Sequence, residues 1–314
     1  MSKGSTGNGF SSLVPDCVVE KCYEHEGVIM AHLMPKRALD RVRQFKVKSD
    51  DFFIVTYPKS GTTWAEQISL LIKHDGDTSK LEGSHIMKMI PFIELCMDSK
   101  NPETAPLKID EAEKMPSPRF MRTHCLPKFL PLDVSTDDPK GKVLYVARNP
   151  KDAAVSYYHF CHFIDALPSY ESWDVFFEEF LAGRVPQGSW FENVLPWWKR
   201  RDHPNVLFLK YEDMKKDLPA AVKQIVEFMG KSFTADVIQK ISDASTFKAM
   251  KKSPSANPDF LIKGEAAEGS RSFMRKGIVG DWKNYFTDDQ NKRFDEFYNK
   301  EMAGSGLEMD FGPA

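Results

Sequence analysis

Cysteine is scarce in this sequence, and its placement excludes several kinds of site. The 314 residues include five cysteines, an odd number, and no two of them are spaced as Cys-x-x-Cys. A disulfide framework or a zinc site is therefore not expected. Free thiols suit a reducing compartment, so we expect a cytoplasmic protein.

Long apolar runs and a strong excess of one charge are also missing. No apolar run approaches the roughly 20 residues that cross a bilayer. Residues 1–13 are rich in Gly and Ser and lack the apolar centre of a secretory signal, so we expect a flexible tail there and one domain over 14–314. The net charge of −2 argues against a dedicated binder of nucleic acid or of membrane surfaces. Any anion site must come from local clusters of basic residues.

The sequence does contain a regular alternation of short apolar runs and helical patterns. The apolar runs are typical of buried parallel strands and cover 52–57, 120–123, 143–147 and 206–209. Helical spacing covers 65–72, 173–181, 218–229 and 288–302, and Asn149-Pro150 offers a cap and a first-turn proline for one more helix. This pattern predicts the α/β class, as a single three-layer domain around a central parallel β-sheet.

Residues 56–64, Thr-Tyr-Pro-Lys-Ser-Gly-Thr-Thr-Trp, join the first of these strands to a helix. Backbone N–H groups, a helix N-terminus and Lys59 can converge there on one anion, which predicts a P-loop-like phosphate-binding loop. A nucleoside-triphosphatase loop requires Gly-Lys-Ser/Thr, whereas here Lys59 precedes Gly61. The ring of Trp64 could stack on a purine. A plain strand-to-helix turn with an exposed lysine is the alternative.

Three further segments carry residues suited to the same edge of the sheet. Arg148 ends the third strand and Ser156 follows on the next helix, where the two could clamp a second phosphate or belong to an ordinary helix cap. Residues 275–277, Arg-Lys-Gly, begin a basic turn that could hold a phosphate partly through its backbone, or could simply join two helices. His124 ends the second strand and could be a general base or a buried core histidine.

Together these segments resemble those of the cytosolic sulfotransferases. The resemblance extends from about 52 to 302 and rests on the loop at 57–64, Arg-Asn-Pro-Lys-Asp…Ser-Tyr-Tyr-His-Phe at 148–160, Lys-Tyr-Glu-Asp-Met at 210–214, Ser-Thr-Phe-Lys-Ala-Met at 245–250 and Phe-Met-Arg-Lys-Gly at 273–277. It implies 3′-phosphoadenosine 5′-phosphosulfate (PAPS) as the sulfuryl donor, a small-molecule acceptor and no metal.

The resemblance also implies roles for individual residues. The 5′-phosphosulfate would be bound by Lys59, Ser60, Gly61, Thr62 and Thr63. The 3′-phosphate would be held by Arg148, Ser156, Arg275, Lys276 and Gly277. The remaining cofactor-binding residues would be Trp64, Tyr211, Thr246 and Phe247 around the adenine, with Ser245, Met250, Phe273 and Met274. The acceptor would meet Phe92, Arg122, Thr123, His124 and Phe160.

The implied mechanism is in-line transfer with His124 as general base. His124 would take a proton from a hydroxyl or amine, and Lys59 would neutralise the leaving phosphate. Ser156 would hold Lys59 off the donor until the acceptor arrives. Residues 248–270, rich in Lys, Ser, Pro and Gly, would close over the site as a lid loop.

This chain departs from the family pattern at a few positions. Many relatives have lysine where Arg122 stands, so the catalytic part assigned to that residue is open. Pro127 lies one place later than in the common His-Leu-Pro sequence. The short dimer motif has lost its apolar and acidic residues, which are replaced by Asp288 and Lys292. We therefore predict a monomer or a weak homodimer.

Two other functions are compatible with parts of the sequence. A P-loop kinase would need the Gly-x-x-x-x-Gly-Lys-Ser/Thr loop, which is absent. A non-catalytic binder of nucleotides or small molecules would be indicated by loss of Lys59 or His124, and both are present.

The sequence also bears on the acceptor. A pocket rich in apolar and aromatic side chains is predicted from Met89, Phe92, Phe160 and Phe163. Phenol-type relatives share the run at 157–160, so a phenolic acceptor is favoured over steroids, amines and aliphatic alcohols.

Overall fold

The centre of the molecule is a four-stranded parallel sheet. A computed structural model describes residues 14–262 and 272–313. The tail predicted at 1–13 and positions 263–270 of the predicted lid lie outside the described residues. The strands are β1 Cys22–His25, β2 Val28–Ala31, β3 Phe52–Thr56, β4 Phe120–Thr123, β5 Lys142–Ala147 and β6 Val206–Lys210. The sheet has the order β4-β3-β5-β6, and β1 and β2 form a separate antiparallel hairpin.

Helices connect and cover these strands. They are α1 Asp16–Lys21, α2 Lys36–Arg43, α3 Thr62–Lys73, α4 Ile86–Met89, α5 Lys108–Lys114, α6 Leu132–Ser135, α7 Pro150–Cys161, α8 Trp173–Leu181, α9 Trp190–Lys199, α10 Tyr211–Lys216, α11 Leu218–Phe228, α12 Ala235–Ala244, α13 Phe247–Lys252, α14 Pro258–Ile262 and α15 Asp288–Met302. None of the helices in the described ranges has the length and apolar character needed to cross a membrane.

Both faces of the sheet are buried under helices. Along β3, Phe53 and Val55 belong to one core with residues of α7, α8, α9 and α15. Their neighbours Phe52 and Ile54 belong to a second core with residues of α3, α11 and α12. Because side chains alternate between the faces, a strand covered on both sides must be apolar at every position. The predicted three-layer α/β fold with a parallel sheet is confirmed.

The predicted element boundaries differ from the observed ones mostly by a residue or two. The helix expected after Asn149 begins at Pro150, and the Asn149 side chain accepts a hydrogen bond from the backbone N–H of Asp152. The larger difference lies at 248–270, where the described part contains α13 and α14. This segment is more regular than the continuous loop that its composition predicted, and its role as a lid stays a prediction.

Candidate active site

The loop between β3 and α3 lies at the carboxyl end of the sheet. Its backbone is left-handed at Lys59 (φ +66°) and at Gly61 (φ +111°). A Cβ atom at position 61 would lie 3.1 Å from Cδ2 of Tyr211, so the loop passes close to that ring and glycine suits the position. The twelve-residue helix α3 begins at Thr62 and directs its N-terminus to the same place. This arrangement is able to bind an anion.

A cavity of about 320 Å³ opens beside this loop and collects most of the predicted residues. Six of its described lining side chains are cationic and one is acidic. The predicted residues that line it are Lys59, Gly61, Thr62, Thr63, Trp64, Phe92, Arg122, His124, Arg148, Ser156, Phe160, Tyr211, Phe247, Met250, Phe273, Met274, Arg275, Lys276 and Gly277. Ser60, Thr123, Ser245 and Thr246 lie behind or beside the wall rather than in it.

Lys59 lies between two aromatic rings. Its ammonium nitrogen is 3.7 Å from the ring centre of Phe273 and 4.1 Å from that of Phe160. Burial, followed by the charge of Arg148, lowers the pKa of Lys59 to about 7. Ser156 and Lys59 also line one smaller cavity together. The two side chains are therefore neighbours, which the predicted contact between them requires.

Arg148 and the 275–277 segment form a second cationic cluster. Arg148 donates to the carbonyl oxygens of Lys59 (3.2 Å) and Ile278 (3.0 Å). Both Arg275 (2.5 Å) and Lys276 (2.6 Å) donate to the buried carboxylate of Asp281. Among the described residues that line the cavity, this one carboxylate stands against six cationic side chains, which suits a phosphate dianion.

The aromatic residues beside this cluster are fixed by contacts of their own. Trp64 donates through Nε1 to the carbonyl oxygen of Ser245 (2.7 Å) and meets the ring of Tyr211 edge-on, with centres 5.2 Å apart. Gly277 has φ +64°, and a Cβ atom there would lie only 2.2 Å from the Phe247 ring. Glycine at this position therefore allows the 275–277 backbone to pack directly on that ring.

His124 is held in one tautomer. Its Nδ1 lies 2.8 Å from the carbonyl oxygen of Thr56, which can only accept, so Nδ1 carries the proton. The other ring nitrogen, Nε2, is then an acceptor while the ring is neutral. Burial lowers the pKa of His124 to about 3, so the ring is neutral at physiological pH. The backbone N–H of His124 donates to Glu94 (2.6 Å), whose pKa burial raises to about 7.

Arg122 forms a buried ion pair that the sequence did not predict. Its Nη1 donates to Oε1 of Glu66 on α3 (2.5 Å), and its guanidinium lies 4.9 Å from the centre of the Phe92 ring. The Phe92 ring in turn meets the His124 ring edge-on, with centres 4.7 Å apart. The charge of Arg122 is thus offset by Glu66, and the pair supports the wall on which His124 lies.

Several residues of the site were not predicted from the sequence. Asp281, Lys215 and Gln187 line the cavity, and Glu66 and Glu94 support it from behind. Asp281 could have been found from its place in the same turn as Arg275. The others become neighbours of the site only through the fold. In the described ranges no three His, Cys, Asp or Glu side chains are grouped as metal ligands.

The sequence has extensive similarity to known proteins. A sequence model described as the sulfotransferase domain matches residues 49–306. Sulfotransferase 1C2 of Rattus norvegicus is 43% identical over 85% of this chain and 88% of its own length. Sulfotransferase 1B1 of Canis lupus familiaris is 40% identical over 86% of this chain and 89% of its own length.

Solved structures agree with this result. The crystal structure of mouse sulfotransferase SULT7A1 complexed with PAP is 34% identical, covers 91% of this chain and 96% of that chain, and has a TM-score of 0.74. Retinol dehydratase in complex with androsterone and the inactive cofactor PAP has a TM-score of 0.82 over 93% of this chain and 95% of that chain. The sequence of that protein is only 23% identical to this chain, so this match supports the fold alone. The chain belongs to the sulfotransferase family of transferase enzymes.

Proposed function

We propose that this enzyme transfers the sulfuryl group of PAPS to a hydroxyl or amine of a small lipophilic, preferentially phenolic, acceptor, with His124 as general base. The observation that carries this proposal is the tautomer of His124. Thr56 holds the proton on Nδ1, so a neutral Nε2 is left to accept a proton in the cavity that also holds Lys59 and Arg148.

The cationic half of the cavity fits the donor. Two buried guanidinium nitrogens of residues that line it, Arg148 Nε and Arg275 Nε, have no hydrogen-bond partner. Buried donors without partners are rare, and a nucleotide with two phosphate groups would supply acceptors for them. The loop at 59–63 would hold the 5′-phosphosulfate, and Arg148, Ser156 and 275–277 the 3′-phosphate. The PAP bound to the mouse relative supports this choice of donor.

PAPS, when bound, supplies the sulfuryl group and leaves as adenosine 3′,5′-bisphosphate. Nε2 of His124 takes the proton from the acceptor as the acceptor oxygen or nitrogen bonds to sulfur. The bond from sulfur to the phosphate oxygen breaks, and its electron pair stays on that oxygen. Lys59 offsets this charge from the loop, as positioned cations do in phosphoryl transfer.

The other half of the cavity suits an apolar acceptor. Leu95, Phe160, Ile164 and Leu167 line it together with Phe92. Aromatic and aliphatic walls around one basic nitrogen favour a flat lipophilic molecule with a hydroxyl near His124.

The five cysteines are all free thiols, which supports a cytoplasmic location.

Two measurements test this function against the alternatives. Adenosine 3′,5′-bisphosphate should raise the Tm of the purified protein, and ATP should raise it less; the reverse order would favour a kinase. Sulfation of a simple phenol such as 4-nitrophenol should then occur with PAPS. Binding of the bisphosphate with no transfer to any of a panel of phenols, steroids, amines and alcohols would identify a non-catalytic binder.

A further inference from the structure

Gln187 is a buried polar residue in the apolar wall of the acceptor cavity, and neither the proposed mechanism nor donor binding uses it. The residue is among those that line the cavity containing His124 and Phe160, and it is only 1% exposed. Nε2 of its amide is in contact with Sδ of Met34, and Oε1 has no hydrogen-bond partner. A buried amide oxygen without a donor is unfavourable unless a ligand or a water satisfies it.

The backbone at Gln187 is one that glycine would adopt more easily. Its φ is +71°, in the left-handed region. Four residues besides glycine have positive φ in the described chain, and two of them, Lys59 and Gln187, line this cavity. Residues in such sparsely populated backbone regions cluster at functional sites.

The turn around Gln187 is fixed rather than free to adjust. Its backbone N–H donates to the carbonyl oxygen of Ile29 on β2 (2.8 Å). The hydroxyl of Tyr157 donates to the carbonyl oxygen of Pro186 (2.8 Å), and that of Tyr57 to the carbonyl oxygen of Gly188 (3.1 Å). These bonds use the hydroxyl protons of Tyr57 and Tyr157 to hold the turn. Oε1 of Gln187 is a buried acceptor without a partner beside this wall, and it reaches a ligand when the side chain turns toward the cavity.

We infer that Gln187 is a second recognition point of the acceptor site, which binds a hydrogen-bond donor of the acceptor away from the group that is sulfated. The inference rests on the proposed function, because it assumes that the acceptor occupies this apolar half of the cavity. The preferred acceptor is accordingly a lipophilic molecule with two donor groups. One hydroxyl is presented to His124, and a second hydroxyl or N–H to Oε1 of Gln187, while the apolar wall covers the carbon skeleton between them.

The test compares rigid diols with partners that lack the second hydroxyl. Hydroquinone, 4,4′-dihydroxybiphenyl and 4,4′-dihydroxystilbene are each paired with phenol, 4-hydroxybiphenyl or 4-hydroxystilbene, so that three lengths are sampled. After correction for the two equivalent hydroxyls, at least one diol should have a kcat/KM about tenfold above its partner, as expected for a donor that satisfies a buried acceptor. In Gln187→Met, which keeps an unbranched side chain without the amide, this preference should disappear.

The monohydroxy partners provide the control. The ratio of diol to monohydroxy partner is taken within each variant, so that a general effect of the substitution on the cavity cancels. Gln187→Gly, which removes the backbone strain, should show the same loss of diol preference. A wild-type preference within about twofold for every pair, or one that persists in both variants, would overturn the inference. If the wild type sulfates none of the phenols, the proposed function fails instead; the same ratios can then be measured as Kd values on the protein bound to adenosine 3′,5′-bisphosphate.

Discussion

At the scale of single residues, the protonation of Lys59 links burial to donor binding. Burial between Phe160 and Phe273 lowers its pKa to about 7, so near pH 8 most molecules of the free enzyme carry a neutral Lys59. Bound phosphate would favour the ammonium form. Binding of adenosine 3′,5′-bisphosphate near pH 8 should therefore take up nearly one proton more in the wild type than in Lys59→Met. Calorimetry in buffers of different ionisation enthalpy measures this difference.

The lowered pKa of Lys59 also changes the stability of the fold with pH in a defined direction. The folded chain binds the Lys59 proton more weakly than the unfolded chain does, so the residue costs stability below pH 7 and the cost fades as pH rises toward the ordinary lysine value. Lys59→Met should consequently raise the Tm of the free enzyme at neutral pH. Lys223→Met, on the exposed face of α11, is the control and should change neither proton uptake nor Tm appreciably. Equal proton uptake in the wild type and Lys59→Met would refute this account of Lys59.

The ion pair of Arg122 and Glu66 should be a strong local determinant of stability. Both side chains are buried, so removing one partner leaves a charge without compensation. Glu66→Gln should lower the free energy of unfolding by about 3 kcal/mol, and the double variant Glu66→Gln with Arg122→Met should recover much of that loss. Urea denaturation measures both values, with the exposed Glu227→Gln as control. A loss below about 0.5 kcal/mol in Glu66→Gln would show that the pair is not maintained.

The residues that could be predicted from sequence are those at the ends of recognisable strands. Lys59, His124 and Arg148 each follow an apolar run, and the carboxyl ends of parallel strands share one edge of a sheet. Glu66 and Gln187 could not be found in this way. Glu66 looks like a surface residue of an amphipathic helix until β4 places Arg122 beside it, and Gln187 lies in a turn without a motif.

At the scale of elements, the contact between the 275–277 turn and α13 depends on Gly277. A methyl group there would collide with the Phe247 ring, since the Cβ atom would lie 2.2 Å from it. Gly277→Ala should move Arg275 and Lys276 and weaken the binding of adenosine 3′,5′-bisphosphate by about tenfold or more. Gly304→Ala is a matched control, because its φ is also positive (+75°) and nothing lies within 4 Å of the added Cβ. Similar affinities in the two variants would contradict the role given to this contact.

Elements were predictable where periodicity extends over several turns. The bounds of α8 and α15 agree with the helical spacing at 173–181 and 288–302. Helices α13 and α14, of six and five residues, are too short to show a period, and their Lys- and Pro-rich composition favours a loop. The β1–β2 hairpin is likewise made of four-residue strands, and its turn at Glu26-Gly27 has positive φ at both residues.

At the scale of the whole molecule, we predict that two copies do not associate tightly through the 283–292 segment. Thr287 caps α15: its Oγ1 accepts from the backbone N–H of Gln290 (3.2 Å), and Asp288 in the first turn suits the positive helix end. These residues therefore stabilise the helix within one chain. Light scattering at micromolar concentration should give a mass near that of one chain, 35.9 kDa.

A reciprocal variant sharpens this prediction. Asp288→Val combined with Lys292→Glu restores the apolar and acidic residues of the family motif and should shift the mass toward a dimer. A wild type that is already a tight dimer, and that the double variant leaves unchanged, would contradict the prediction of a weak interface.

The central claim is that His124 is the proton acceptor in sulfuryl transfer from PAPS. The most direct measurement is the rate of transfer by His124→Ala to a phenol that the wild type sulfates, together with its affinity for adenosine 3′,5′-bisphosphate. The control is His203→Gln, which changes a partly exposed histidine outside the cavity, near the amino end of β6. We predict a loss of transfer of at least about 100-fold with nearly unchanged nucleotide affinity in His124→Ala, and wild-type behaviour in the control. Transfer by His124→Ala close to the wild-type rate would contradict the account.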